Sequence, residues 1–510
     1  MFIERFFVSF MASPLKKLLG QTAVYGLSSI IGRFLNYLLT PLYTSKLVFQ
    51  PEQYGIITEM YAYVAFLVVL LTYGLETAFF RFYSQSDDMK SRVYSTALWS
   101  IAITSFGFIV LASVFAQPIA DFLGYPNHKE YISWFAIIVG LDALIAIPLA
   151  KLRAENKSLK FARVHIFSIA VNIGLNLFFL AYCLPKHLSG EVNWLVQTFY
   201  NPEIGVGYVF IANLIASVSR FLLLLPDILK ASFKIDRSLW KQMMIYALPL
   251  LFAGLAGIIN ETLDRALLKW LLWPILGEKA TMTQLGIYGA CYKLSIIITL
   301  FIQAYRYAAE PFFFDQQKSG SAPKTYAQML HVFFAFVMLV FLGVTLFIDV
   351  FKHFIPNDVY WVGLDVVPIL LLANVFLGVY YNLSAWYKLT DKTLYGAYIA
   401  IGGALLTIAL NVLLIPILGF RGSAWATLAC YFAMAAASYY FGQRFFPVPY
   451  NIPRLLGYFL LAIGLFLLDY FFIQTNSTIG WVVKCLMTLT FISTAFFIEV
   501  VLPKRKDYAN

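Results

Sequence analysis

Apolar residues in this chain come in long unbroken runs, and the polar positions gather in short stretches between them. A run near 20 residues matches a helix that crosses the roughly 30 Å hydrocarbon layer of a bilayer. Strands of a membrane barrel would be about 10 residues long and strictly alternating, and no such alternation is present. The runs predict about fourteen spans, at 21–44, 54–79, 93–115, 131–150, 161–184, 205–229, 242–263, 284–308, 327–349, 361–386, 394–416, 422–442, 453–473 and 479–502. The expected fold class is therefore all-α, a polytopic membrane protein of about 14 transmembrane helices.

Composition narrows the function classes. Of 510 residues, 61% are hydrophobic and only 12% charged, against about 25% charged in a soluble chain. Fourteen spans of about 20 residues use about 280 positions. Connections of about 16 residues remain, too short for a soluble catalytic domain. A cytoplasmic enzyme, a secreted disulfide scaffold and a DNA-binding protein are excluded. His128, His165, His187, His331 and His353 are scattered without metal-ligand spacing. No GxxxxGK[ST] sequence is present, so ATP hydrolysis is not expected of this chain. No metal and no cofactor are implied, and the chain is not expected to be an enzyme. Cys183, Cys291, Cys430 and Cys485 lie in apolar segments without a CxxC pair and read as buried thiols. The opening MFIERFFVSF carries Glu4 and Arg5, so a cleavable signal peptide is not expected there, and Met11 begins a second plausible start.

Charge then orients the spans. With an even number of spans both termini share one side. The loops and termini of that side hold 25 basic residues, among them Lys90, Arg92, Lys151, Arg153, Lys157, Lys230, Lys234 and Lys504. The opposite loops hold eight: Lys46, Lys129, Lys186, Arg265, Lys269, Lys279, Lys352 and Arg421. Basic residues accumulate on cytoplasmic loops, so both termini are expected in the cytoplasm. The formal net charge of +11 thus reflects topology, and no nucleic-acid partner is expected.

Weak internal repetition suggests two related halves. Lys157-Ser-Leu before span five matches Lys392-Thr-Leu before span eleven, and Asn176 then matches Asn411 at the same offset. Gln53, Gly55 and Tyr61 match Gln284, Gly286 and Tyr292, and Gln21 to Tyr25 resembles Gln242 to Tyr246. These matches fall in one order, as in transporters built from repeats. They imply a cytoplasmic segment 1–20, an N-lobe of six spans at 21–230 and a C-lobe of six at 231–443. Residues 444–510 add two helices and a basic tail.

Specific stretches carry a family resemblance. GQTAVYGLSSIIGRFLNYLLTPLYT (20–44), EQYG (52–55), YGLETAFFRF (73–82), QAYRYAAEPFFF (303–314) and LNVLLIPILGFRGSAWATL (410–428) resemble bacterial polysaccharide exporters. The resemblance spans nearly the whole chain. It points to the multidrug/oligosaccharidyl-lipid/polysaccharide (MOP) exporter superfamily, and within it to the Wzx-like flippases of O-antigen or capsule units. It implies a bacterial inner-membrane flippase for undecaprenyl-pyrophosphate-linked oligosaccharide, working by alternating access. It also implies membrane lipids, a polysaccharide polymerase and glycosyltransferases as neighbours in lipopolysaccharide or capsule assembly. Three rivals are a flippase for the peptidoglycan precursor, a cation-coupled multidrug antiporter and a membrane glycosyltransferase or ligase, the last lacking the sizeable extramembrane loop it would need. The antiporter is disfavoured, because span one holds Arg33 and no acidic residue between Gln21 and Thr44.

Ionisable groups within spans are costly and normally face a protein interior or a water-filled cavity. Arg33, Arg81, Arg220, Arg265, Lys293 and Arg306 are the candidate substrate-binding cations. In the arrangement implied by the resemblance, spans one, two, seven and eight bring most of them to a central cleft. Guanidinium and ammonium groups suit a pyrophosphate headgroup. Competing readings are cytoplasmic anchoring for Arg81 and Arg306, pairing within its lobe for Arg220, and a structural role, ahead of a lipid-tail groove, for Lys484 in span fourteen. Glu59, Glu76, Glu261, Asp264 and Glu310 are candidates for gating or for coupling to a proton or sodium gradient. By spacing, Glu76 is expected to pair locally with Arg81 and Glu310 with Arg306. Glu261, Asp264 and Arg265 suggest an outer gate, and Pro249 with Gly254 and Gly257 suggests a hinge.

Overall fold

The computed structural model describes residues 30–86, 88–191, 193–316, 322–473 and 477–501. Among these residues the chain is helical throughout, with no strand, as the unalternated apolar runs predict. It divides into two compact units, Met1–Ala266 and Leu267–Asn510.

The first unit begins with helical residues 30–37 (α1) and the single turn Thr40–Tyr43. Then come α2 (Pro51–Thr72), α3 (Leu75–Tyr83), α4 (Lys90–Val114), α5 (Lys129–Ala154), α6 (Ser158–Asn176) and α7 (Gly207–Ile228). Helix α2 starts three residues before the expected boundary, because Pro51 fits a first turn. The Gln53 side chain also accepts from the Gln50 N–H at 3.1 Å, closing a capping box. Span two is not one helix. Tyr73 (φ 33°) and Gly74 (φ 73°) break it, and the helix carrying Ala247 passes so close that a Cβ on Gly74 would stand 2.6 Å from the Ala247 carbonyl. Only glycine meets both demands. Helix α5 packs against α2, α4 and α7. More than half of its apolar stretch is buried, 56% against 28–39% for the other spans up to Ile228, so it is the central helix of the unit.

Helix α8 (Arg237–Leu276) is followed by Gly277 (φ 77°) and α9 (Glu278–Gln316). These 40- and 39-residue helices are each roughly 60 Å long at 1.5 Å per residue. They greatly exceed the expected 242–263 and 284–308. The charges taken as span ends lie inside the helices and are accommodated there. Helix α8 is also continuous through Pro249, the expected hinge.

The second unit continues with α10 (Ala322–Leu346), α11 (Val366–Leu383), α12 (Thr393–Leu418), α13 (Phe420–Phe445), α14 (Ile452–Phe472) and α15 (Thr478–Phe496). Windows of α9, α10 and α11 are 61–67% buried, whereas those of α14 and α15 are 17% and 11%. The last two helices lie at the periphery, against α10. Cys485 on α15 is exposed, unlike the three other thiols. Being on a peripheral helix, it departs from the expectation of a buried thiol.

Twelve helices among the described residues are long and apolar enough to cross a membrane. They match expected spans two to eleven, thirteen and fourteen. Expected span twelve is not among them: it is α13, long enough at 26 residues but diluted by Gly, Ala, Ser and two arginines. The first lies partly outside the described residues.

Candidate functional site

The intramembrane cations differ in how they are held. On α7, Asn213, Ser217 and Arg220 recur at helical spacing and share a face. Asn213 Nδ2 donates to the Tyr61 hydroxyl of α2 at 2.8 Å. Ser217 Oγ donates to Asp142 Oδ1 of α5 at 3.0 Å. Arg220 Nη1 stands 3.5 Å from the same oxygen, and its Nε donates to Ser168 Oγ of α6 at 3.3 Å. An unpaired guanidinium in hydrocarbon costs several kcal/mol; Asp142 removes that cost. Arg220 therefore belongs to a closed polar layer inside the first unit.

Arg33 differs. Helix α1 is seated on α6 through neighbouring positions. A Cβ on Gly32 would touch Ile169 Cδ1 at 2.7 Å, Asn36 Oδ1 accepts from Asn172 Nδ2 at 3.0 Å, and Tyr43 donates to Asn176 Oδ1 at 2.8 Å. Arg33 itself stays exposed and joins none of the ion pairs among the described residues.

Arg81 lies exposed at the end of α3, its guanidinium 4.2 Å above the Tyr246 ring. Half-buried Arg306 on α9 repeats this motif, 4.1 Å above Tyr381. Such stacking braces each cation against an aromatic face. Glu76 pairs with Arg153 at the end of α5, not with Arg81. Five residues along a helix do not share a face, whereas α5 packs directly on α3. Lys293 is half-buried on α9. The Glu310 side chain lies outside the described residues, as does the expected pairing with Arg306.

Glu59 on α2 is completely buried and accepts from the Tyr125 hydroxyl. Glu261, Asp264 and Arg265 come together in α8. Arg265 Nη1 donates to the Glu261 carbonyl at 3.0 Å and stands 4.0 Å from Asp264 Oδ1. The Glu261 carboxylate is not the acceptor in that bond. Further along α8, Lys269 is buried with its ammonium 4.8 Å above Trp273.

Some partnerships carried no signal in the sequence. Lys484 is buried, 3.5 Å from Asp469 Oδ2 and 3.9 Å from Asp349 Oδ2, a structural setting and not a lipid-tail groove. Lys352 in turn holds Asp349 Oδ1 at 2.7 Å. The repeat asparagines are both buried and donate one turn back, Asn176 to the Asn172 carbonyl and Asn411 to the Thr407 carbonyl, each at 2.8 Å. Asn411 Oδ1 has no hydrogen-bond partner among the described residues, unlike Asn176, which receives Tyr43. No group of His, Cys, Asp and Glu able to hold a metal ion occurs among the described residues.

A family model described as "polysaccharide biosynthesis protein" matches residues 48–355. No curated protein matches the chain by sequence. Among solved structures, the lipid II flippase MurJ in an inward closed conformation aligns with a TM-score of 0.71 at 15% identity, over 93% of this chain and 99% of that one. An inward-facing multidrug resistance MATE family transporter of the MOP superfamily aligns with a TM-score of 0.61 at 12% identity, over 86% and 96%. A MATE in its straight conformation gives 0.59 at 12% identity, over 87% and 97%. At these identities the likeness is one of fold.

Proposed function

Because the chain belongs to the polysaccharide biosynthesis protein family and has the fold of the MOP superfamily, we propose that it flips lipid-linked oligosaccharide repeat units for surface polysaccharide assembly. The cargo would be an undecaprenyl-pyrophosphate-linked oligosaccharide of the O-antigen or capsule type. It would pass from the cytoplasmic to the periplasmic leaflet of a bacterial inner membrane, with both termini of the chain in the cytoplasm. The observation that carries this reading is Arg33, a permanently charged group in an apolar helix, exposed and outside the ion pairs of the described residues. Holding such a group is costly unless a water-filled cavity or an anionic ligand receives it, and a pyrophosphate is such a ligand.

Arg81 and Arg306, braced on tyrosine rings, would offer further partial sites. Several weak sites suit a cargo that must also leave. Alternating access by the expected lobes at 21–230 and 231–443 would carry the cargo across. A proton or sodium gradient, with Glu59 or the Asp264 group as the responsive acid, would drive the cycle without ATP. Glycosyltransferases and a polymerase would act before and after transport.

A second reading, flipping of the peptidoglycan precursor, is favoured by the fold likeness to the lipid II flippase. Deletion of the chain separates the two. Loss of surface polysaccharide with intact cell-wall synthesis supports the first reading. Arrested wall synthesis supports the second, and normal polysaccharide with normal viability overturns both.

A further inference from the structure

A groove of about 570 Å³ opens between α6 and α7, lined by Lys160, Arg163, Ile166, Phe167 and Ala170 of α6 and Leu223 of α7. Its chemistry is segregated. Both cations stand in the first two turns of α6, and the rest is hydrocarbon. From Lys160 to Ala170 the helix rises about 15 Å, half of the roughly 30 Å hydrocarbon layer and so the depth of one leaflet.

Among the described residues of the first unit, these side chains stay partly uncovered. Ile166, Phe167 and Leu223 are 47%, 50% and 40% exposed. Helix α1 and the turn after it use another face of α6, the one carrying Ile169, Asn172 and Asn176. Of the two cations, Lys160 already pairs with Asp227. Arg163 is exposed and joins no ion pair among the described residues. An apolar channel one leaflet deep thus ends on an uncommitted guanidinium, at the level where lipid phosphates lie.

We propose that this groove holds an anionic glycerophospholipid of the leaflet facing the basic loops. One acyl chain lies along Phe167, Ala170 and Leu223, and the phosphate rests on Arg163 with Lys160 beside it. A zwitterionic lipid brings its own ammonium toward the same two cations and is held less well. The site is separate from the cargo reading and stands whichever molecule the protein transports.

The test uses the full chain in mild detergent, mixed with equal amounts of phosphatidylglycerol and phosphatidylcholine, with retained lipid read by native mass spectrometry. One basic residue near an anionic headgroup changes its retention about fivefold. The wild type should therefore favour phosphatidylglycerol by about that factor. Arg163→Ala should lose the preference without changing thermal stability, Arg163→Lys should keep it, and Ala170→Trp should lower retention of both lipids. Equal retention by the wild type, or an undiminished preference in Arg163→Ala, overturns the proposal. Displacement of phosphatidylglycerol by inorganic phosphate would reveal a site for free anions, and displacement by undecaprenyl phosphate a site for cargo. Either result also overturns it. Should Ala170→Trp fail to fold, the two Arg163 variants decide.

Discussion

Replacing Lys484 by Met tests how the two peripheral helices are fastened to the second unit. Helix α15 makes few buried apolar contacts, yet Lys484 enters the protein between Asp469 of α14 and Asp349 beyond α10. At 3.5 Å and an effective dielectric near 20, attraction to Asp469 is about 5 kcal/mol before desolvation is subtracted. Removing the lysine strands a carboxylate whose side chain is only 11% exposed and whose Oδ1 already has no hydrogen-bond partner among the described residues. Breaking one member of a buried pair costs about 3–5 kcal/mol. For a cooperative unit of this size, 1 kcal/mol corresponds to about 2–4 °C, so the apparent Tm should fall by at least about 6 °C. The assay is thermal unfolding of the purified chain in detergent. Removing both charges, in Lys484→Met with Asp469→Leu, should recover most of the loss, because a paired apolar replacement leaves nothing stranded. A Tm for Lys484→Met within about 1 °C of wild type, or a double variant less stable than the single, would refute the reasoning.

Other predictions concern the first unit and the last span pair. Gly74→Ala should destabilise by about 2 kcal/mol or more, since it adds left-handed strain and drives a methyl into the Ala247 carbonyl. Gly457→Ala, with open space around a helical position, should instead stabilise by about 0.5–1 kcal/mol in the same unfolding assay. Asp236 caps α8: the Leu239 N–H at 3.0 Å, and then the Arg92 side chain, hold its carboxyl below the ordinary aspartate value. Its contribution is present above the ordinary aspartate range and is lost as pH falls through the depressed folded value. Wild type should therefore lose stability over that acid window more steeply than Asp236→Asn. Equal slopes would show that the cap does not titrate with folding.

Span positions were legible because hydrocarbon leaves a chain few choices. A long apolar run must close its own backbone hydrogen bonds, and a helix does so. Helix ends were harder to read. Arg265 and Lys269 looked like the exit of span seven, but a helix tolerates charge where a carbonyl or an indole face receives it, as the Glu261 carbonyl and Trp273 do. Glu76 went to Arg153 and Lys484 to Asp469 and Asp349. Such partners are set by which helices pack together, which spacing within one helix does not encode. The break at Tyr73–Gly74 also depends on the approach of α8, a tertiary fact. Arg33 could be singled out from the sequence because a lone cation in an apolar run is conspicuous before any fold is known. That Asp142 neutralises Arg220 required the fold.

The proposed function rests most directly on Arg33 receiving the headgroup of a lipid-linked oligosaccharide as it crosses between leaflets. The most direct measurement is the leaflet distribution of that lipid in a deletion strain complemented with wild type or with Arg33→Ala, at equal membrane levels of the two proteins. With wild type, the oligosaccharide should reach the periplasmic leaflet. With Arg33→Ala, it should remain cytoplasmic. An identical periplasmic fraction in both strains, or in the strain carrying neither, would contradict the account.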